Sequence, residues 1–160
     1  MLCVLDTSTC IDLWHGDLLP SVLLLPYRFL LSDVIMSELI EPPGSLFASL
    51  GYEIFSIPSD DVMEVLRLRS LYLKPSTNDL FALVGTRNMH GVLITGDNAL
   101  RKAAESEGLA VHGTLWLLDQ LVRFSVITKI VASNALRNML DNGARFPHSE
   151  CSMRFRKWSA

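Results

Sequence analysis

Cysteine is scarce in this sequence. Cys3, Cys10 and Cys151 form an odd set with no CxxC pair, which argues against a disulfide scaffold and a cysteine-rich zinc knuckle and favours a reducing compartment. Histidine is equally sparse: His15, His90, His112 and His148 are dispersed, and none has HExxH spacing. Glycine (9) and proline (7) stay well below fibrous or low-complexity levels. The GxGxxG, Walker A and GxSxG signatures are absent, so the sequence gives no support to a nucleotide-binding fold or a serine hydrolase. The most apolar run, Leu18–Leu31, is broken by Pro20, Pro26 and Arg28 and is too short to span a bilayer. It reads as packed core, with a partner-binding surface as the alternative. The opening MLCVLDTSTC lacks a basic region and meets an acid at Asp6, so neither an export signal nor a membrane anchor is expected. A cytoplasmic protein is the expectation.

What is present suits one globular domain. The 160 residues are 49% hydrophobic and 19% charged, enough apolar material for a sizeable core. The net charge of −3 hides an asymmetry. Residues 1–120 carry 7 Lys/Arg against 15 Asp/Glu, whereas residues 121–160 carry 7 against 2. An acidic body concentrates divalent cations, and a basic end suits phosphates, an acidic partner or solvent.

Short apolar runs alternate with helical patterns. Leu2–Leu5, Tyr27–Leu31, Tyr52–Ile57, Val92–Ile94 and Leu109–Val111 read as strands. The first helix starts at Thr7-Ser8-Thr9, a second runs through Val34–Ile40, and a third starts near Ser59. Others run from Ser76 or Thr77 to His90, over Ala99–Glu107, through Leu115–Val122 and through Ile127–Leu140. A short helix follows Pro147. This alternation implies a three-layer α/β/α sandwich with a central, mostly parallel sheet. The domain spans 1–143, and 144–160 form a basic C-terminal extension packed on it or trailing from it.

Sites in such sheets lie beyond the carboxyl ends of strands. Asp6 stands there after the first strand, and Asp97 after the fourth. Two carboxylates in one crevice repel unless a cation or proton intervenes, and oxygen ligands from separate elements suit a hard dication. Each acid also has a plainer reading, Asp6 as a helix cap and Asp97 as a turn residue. Glu38, in Val34–Ile40, reads either as a further ligand or as a solvent-facing glutamate. Asp79, near a helix start, reads either as a ligand or as a cap on exposed N–H groups. Cys3 reads as an inert core thiol, Cys10 as a thiol nearer the crevice and open to a ligand or oxidation. Trp14 and Trp116 read as core or interface anchors.

Taken together, VLDTST around Asp6, VIMSELI around Glu38, STNDLFALVGTRNMHG around Asp79 and LITGDNALRKAAESEG around Asp97 resemble the PIN domain found in VapC-type toxin ribonucleases. HGTLWLLDQLV resembles a subgroup in which a Gly-Thr-Leu step opens a helix. A C-terminal extension follows there with a Gly-Phe-Arg-like element, here Gly143-Ala144-Arg145-Phe146. The resemblance implies an endoribonuclease using Mg²⁺ or Mn²⁺. Asp6 and Asp97 would be the principal ligands, with Asp79 completing the site and Glu38 binding a second ion or orienting the attacking water. Thr7, Ser8, Thr95 and Asn98 would support the carboxylates or coordinated waters. Arg145, Arg154, Arg156 and Lys157 are candidates for RNA phosphates.

The expected partners are RNA, a second copy in a homodimer, and a small antitoxin protein. The pattern departs from the family after the fourth acid, where Asn98 and Leu100 stand in place of a further aspartate. Asp33 adds an acid at a strand end. A non-catalytic PIN-like interaction scaffold is the alternative function. A phosphohydrolase on a similar sheet is disfavoured, because Ser8 stands where a second aspartate would be needed.

Overall fold

A computed structural model describes residues 1–159. Five strands form one sheet in the order β3-β2-β1-β4-β5, with β1 Leu2–Leu5, β2 Arg28–Ser32, β3 Glu53–Phe55, β4 Val92–Ile94 and β5 Val111–His112. All four pairings are parallel. In the central strand, Val4 pairs with Leu30 on one side and Leu93 on the other. Cys3, Val4, Leu5, Leu93 and Ile94 are fully buried, as an unbroken apolar run requires when helices cover both faces.

The helices are α1 Thr7–His15, α2 Leu19–Val22, α3 Asp33–Glu38, α4 Ser45–Leu50, α5 Ser59–Leu71, α6 Thr77–Asn88, α7 Asn98–Ser106, α8 Thr114–Arg123, α9 Lys129–Asp141 and α10 His148–Trp158. Helix α6 packs on β1, β2 and β4 with α5 against it, and α1, α2, α8 and α9 form a second packed group. The architecture is the α/β sandwich implied by the alternation of elements.

Several local expectations shift. Helix α3 stops at Glu38 rather than reaching Ile40. Leu39 is already extended and Ile40 points into solvent, with Pro42-Pro43 close behind. Two short helices, α2 and α4, lie where the sequence suggests no helix, and both occupy four to six residues. The third strand keeps only its middle, and the last strand begins two residues later than expected. The 18–31 segment is mostly core: Leu18, Leu19, Val22, Leu25, Phe29, Leu30 and Leu31 are all buried, and Leu24 is exposed. Cys10 is fully buried too, and burial, aided by the nearby Asp6 charge, holds its thiol well above the ordinary range. It is therefore a core thiol, not one open to a ligand or oxidant.

Residues 148–158 form a full helix rather than a short one. It buries Cys151 and Trp158 and packs on α9. Arg154 also ties it to α8, pairing with Asp119 at 2.7 Å and with Glu150 at 2.9 Å. Across the sheet edge, the Tyr27 hydroxyl donates to Gln120 at 2.8 Å, and the Tyr52 hydroxyl donates to the Leu19 carbonyl at 2.7 Å.

Gly85, inside α6, shows how close this packing is. A Cβ there would intrude on the Phe55 ring. Helix propensity alone would favour alanine by about 1 kcal/mol, while overpacking costs about 1–3 kcal/mol, so the clash wins. Gly85→Ala is expected to lower the thermal midpoint by about 2–8 °C in a circular-dichroism melt. A rise would mean that Phe55 turns aside freely.

Candidate active site

The chain places β1 at the centre, runs β2 and β3 to one side, and returns for β4 and β5 on the other. The strand order therefore reverses at β1 and β4, and a crevice opens beyond their carboxyl ends. Asp6 leaves β1 there, and Thr95-Gly96-Asp97 leave β4.

Asp6 is 1% exposed. Its backbone N–H donates to the Ile94 carbonyl at 3.2 Å, locking the end of β1 to β4. Burying an ionised carboxylate is costly unless it is well hydrogen-bonded, and Asp6 is. The Thr9 N–H donates to Oδ1 at 2.9 Å, the Ser8 hydroxyl reaches both oxygens at 3.1 and 3.0 Å, and the Thr95 hydroxyl donates to Oδ2. Burial raises the Asp6 pKa, opposed by these same donors, Thr95 foremost.

Thr95 links the two strand-end acids. Its Oγ1 donates to Asp6 and accepts from the Asp97 backbone N–H at 3.0 Å. Asp97 caps α7, its Oδ1 accepting from the Leu100 N–H at 2.9 Å. Asp79 forms a capping box with Ser76 at the start of α6, through bonds of 3.0 and 3.1 Å. Its carboxyl is raised by burial first, opposed by the Ser76 bonds, with the Asp97 and Glu38 charges adding to the rise. That coupling places the three acids in one electrostatic neighbourhood.

Glu38 is the last residue of α3. Its Oε2 accepts from the Thr7 hydroxyl at 3.0 Å and from Asn78 Nδ2 at 3.2 Å. One carboxylate thus bridges the residue after Asp6 and the residue before Asp79. The helix-cap readings of Asp6 and Asp79 hold, Asp97 caps α7 where the sequence suggested a turn residue, and capping occupies only part of each carboxylate. Asp79 Oδ1, Asp97 Oδ2 and Glu38 Oε1 have no hydrogen-bond donor among the described residues.

The other candidates separate. Asn98 opens α7 and lines a larger neighbouring cavity, whereas Arg145, in the loop after α9, lines both that cavity and the crevice. Arg154 is 11% exposed and held by Asp119 and Glu150. Arg156 and Lys157 are exposed on α10 and line neither crevice cavity. Asp33 accepts from the Ser56 hydroxyl at 2.8 Å, tying the ends of β2 and β3 together.

One acid escaped the sequence reading. Asp12 lines a cavity of about 240 Å³ with Ser8, Asp97 and Arg145. Its position four residues after Ser8 puts both on one face of α1, a spacing that was there to be read. Among the described residues, no three His, Cys, Asp or Glu side chains stand together in a metal-holding arrangement. The donor set nevertheless fits a hard dication in kind: carboxylate oxygens from four separate elements, three of them with an oxygen free of donors.

Burial and the Asp6 charge push Asp12 up to about 7 from 3.8. The folded protein therefore binds that proton more tightly than the unfolded chain. Stability contributed by the neutral form is full below about pH 4 and is lost as pH rises to about 7. Asp12→Asn is expected to gain stability over wild type across that window, reaching about 1–2 kcal/mol at pH 8 after solvent screening. Thermal melts in EDTA from pH 4 to 8 measure this, and parallel curves for the two proteins would contradict it.

The comparisons with known proteins agree with this architecture. The family described as DUF3368, PIN domain, matches residues 2–160. Among solved structures, the chain is similar to a PilT N-terminus domain protein, SSO1118, from the hyperthermophilic archaeon Sulfolobus solfataricus P2. The TM-score is 0.54 at 15% identity, over 76% of this chain and 94% of that one. It is also similar to VapBC2 from Rickettsia felis, solved bound to a DNA fragment from their promoter. Here the TM-score is 0.51 at 13% identity, over 71% of this chain and 98% of that one. At such identities the likeness concerns the fold alone. A search of curated proteins finds none that matches. With a parallel five-stranded sheet, acids at its switch point and a family match over residues 2–160, the chain belongs to the PIN-domain family.

Proposed function

We propose that this PIN-domain protein is a dication-dependent endoribonuclease and the toxin of a toxin–antitoxin pair. The observation that carries the reading is the Thr95 hydroxyl joined to both Asp6 and Asp97 at the switch point, with Asp79 and Glu38 coupled to the same crevice. Asp6, Asp79 and Asp97 would hold Mg²⁺ or Mn²⁺, which when bound supplies a water of lowered pKa and neutralises phosphate charge.

The chain's own part is positioning. Ser8, Thr9 and Thr95 fix the Asp6 carboxylate before any substrate arrives, so little reorganisation is needed at reaction. Glu38, anchored by Thr7 and Asn78, keeps Oε1 available to orient the attacking water. In-line attack on phosphorus breaks the bond to the 3′ oxygen and leaves a 3′-hydroxyl and a 5′-phosphate.

A small neutralising protein and a homodimer belong to this reading. The VapBC2 likeness supports a toxin-type fold, and the buried, unpaired cysteines suit a cytoplasmic setting. No helix among the described residues is long and apolar enough to cross a membrane.

A second reading has its own observation. Asp6, Asp79 and Asp97 each cap a helix, a role that a non-catalytic PIN-like scaffold would keep. Cleavage assays separate the two. End-labelled single-stranded and structured RNAs are incubated with wild type, Asp6→Asn, Asp97→Asn and Thr95→Val in Mg²⁺, Mn²⁺ or EDTA. Asparagine keeps the capping oxygen but sets an NH₂ against the Ser8 and Thr95 hydroxyls at Asp6, so matching circular-dichroism melts first establish that each variant is folded. Cutting is expected in Mg²⁺ or Mn²⁺ only, reduced about 100-fold or more by either acid substitution and about 10–100-fold by Thr95→Val. No cutting by wild type in any metal favours the scaffold, and equal cutting by all four proteins removes the site assignment.

A further inference from the structure

A larger cavity, of about 760 Å³, adjoins the acid crevice and shares Gly96, Arg145 and Phe146 with it. Its volume lies within the range of small-ligand sites. Its charge is opposite to that of the crevice. Arg145 has no ion-pair partner among the described residues, and Arg101 has only the exposed Glu105, at 3.8 Å, beside a long bond of 3.5 Å to the Thr95 carbonyl. Arg101 lies against the backbone of Gly113, where a Cβ would stand 3.3 Å from its Nη2. Arg154 also lines the cavity, but Asp119 and Glu150 already neutralise it.

Helix α8 begins at the wall. Its N-cap, Gly113, supplies no side-chain acceptor, leaving the first N–H groups uncapped. Thr114, the first residue of α8, also lines the cavity, with its buried hydroxyl turned to the Asp12 carboxyl. An uncapped helix start attracts anions. Beside these groups, the His112 ring stacks on Trp116 at 4.2 Å and 4°, with Tyr27 stacked on Trp116 at 5.8 Å and 22°. Paired arginines, an uncapped helix start and a rigid aromatic stack match a nucleotide: phosphate on the first two, base on the third.

We propose that this cavity receives one nucleotide of the RNA, next to the cleaved phosphate. Its phosphate lies against Arg101, Arg145 and the start of α8, and its base against His112 and Trp116. The assignment rests on the nuclease reading and deepens it, since a fixed base pocket beside the acids would select where the strand is cut. It also explains how an RNA chain approaches an acidic crevice, with the neighbouring nucleotide held by cations before the scissile phosphate enters.

The test uses ¹⁵N-labelled full-length protein in EDTA, titrated with each ribonucleoside 5′-monophosphate, with inorganic phosphate and with an acidic hexapeptide. Shifts are expected at Arg101, His112, Trp116 and Arg145, with at least one nucleotide binding about tenfold more tightly than phosphate. Arg101→Ala and Arg145→Ala, both on partly exposed side chains, should each weaken nucleotide binding about tenfold. Asp97→Asn should leave it within about twofold while losing cleavage. Nucleotide binding of this kind without RNA cutting keeps the cavity assignment and removes the nuclease reading. RNA cutting with no nucleotide shifts at these residues removes the cavity assignment alone. Equal affinity for phosphate and nucleotides would reduce the cavity to an anion site and overturn the base contact. Shifts caused by the peptide and by no nucleotide would assign the cavity to a protein partner and overturn the proposal.

Discussion

The buried carboxylate of Asp6 is the constraint around which the molecule is arranged. It sits at the end of the central strand, almost without solvent, and low-dielectric burial disfavours its charge. Four donor contacts, from the Ser8 and Thr95 hydroxyls and the Thr9 backbone N–H, offset that cost. Each donor in turn fixes a piece of structure: Thr9 the first turn of α1, Ser8 the helix face that carries Asp12, and Thr95 the exit of β4. The same buried charge acts on its neighbours, adding to the rise at Asp12 and Cys10. At the switch point the same carboxylate caps α1 and ties the ends of β1 and β4 together.

The remaining acids illustrate how local capping and a shared crevice use the same residues. An aspartate at a helix start is stabilised by N–H groups and held in one orientation. Three helices begin at this crevice, so their caps converge on it. Glu38 closes the ring through Thr7 and Asn78, joining α3 to α1 and α6. Opposed to this acidic centre is the basic edge formed by Arg101 and Arg145. Helix α10, braced by Arg154 on Asp119, packs on α9 and lines the cavity at that edge. Arg145 brings one cation of the basic C-terminal end to this edge, and Arg101 adds one from the acidic body.

Features that depend on near neighbours in the chain were legible beforehand. Leu2–Leu5 and Val92–Ile94 appear at their expected limits, because a run of apolar residues ending in an acid or a threonine is a local signal. The caps at Asp6 and Ser76 follow from the same reasoning, whereas Asp97, read as a turn residue, caps α7. What the sequence conceals is non-local. The Thr7–Glu38 and Asn78–Glu38 bonds span 31 and 40 residues, and no spacing rule reaches that far. Arg154 reads as a phosphate contact until Asp119, 35 residues away, is seen to hold it. The short helices α2 and α4 carry too few residues to show periodicity. Asp12 stands not at a strand end but one helical turn beyond Ser8, where an acid on a half-buried helix face carries no distinct sequence signal beyond that spacing.

The central claim is that these carboxylates form one dication site. Paramagnetic broadening by Mn²⁺ in ¹⁵N spectra of the full-length protein tests it most directly, since it locates the ion without requiring a substrate. The account predicts that the first resonances lost are amides around Asp6, Asp79 and Asp97, that excess Mg²⁺ restores them, and that Asp97→Asn weakens the effect. Broadening centred instead on other acids, such as Asp60 and Asp61, or left unchanged by Asp97→Asn, would contradict it.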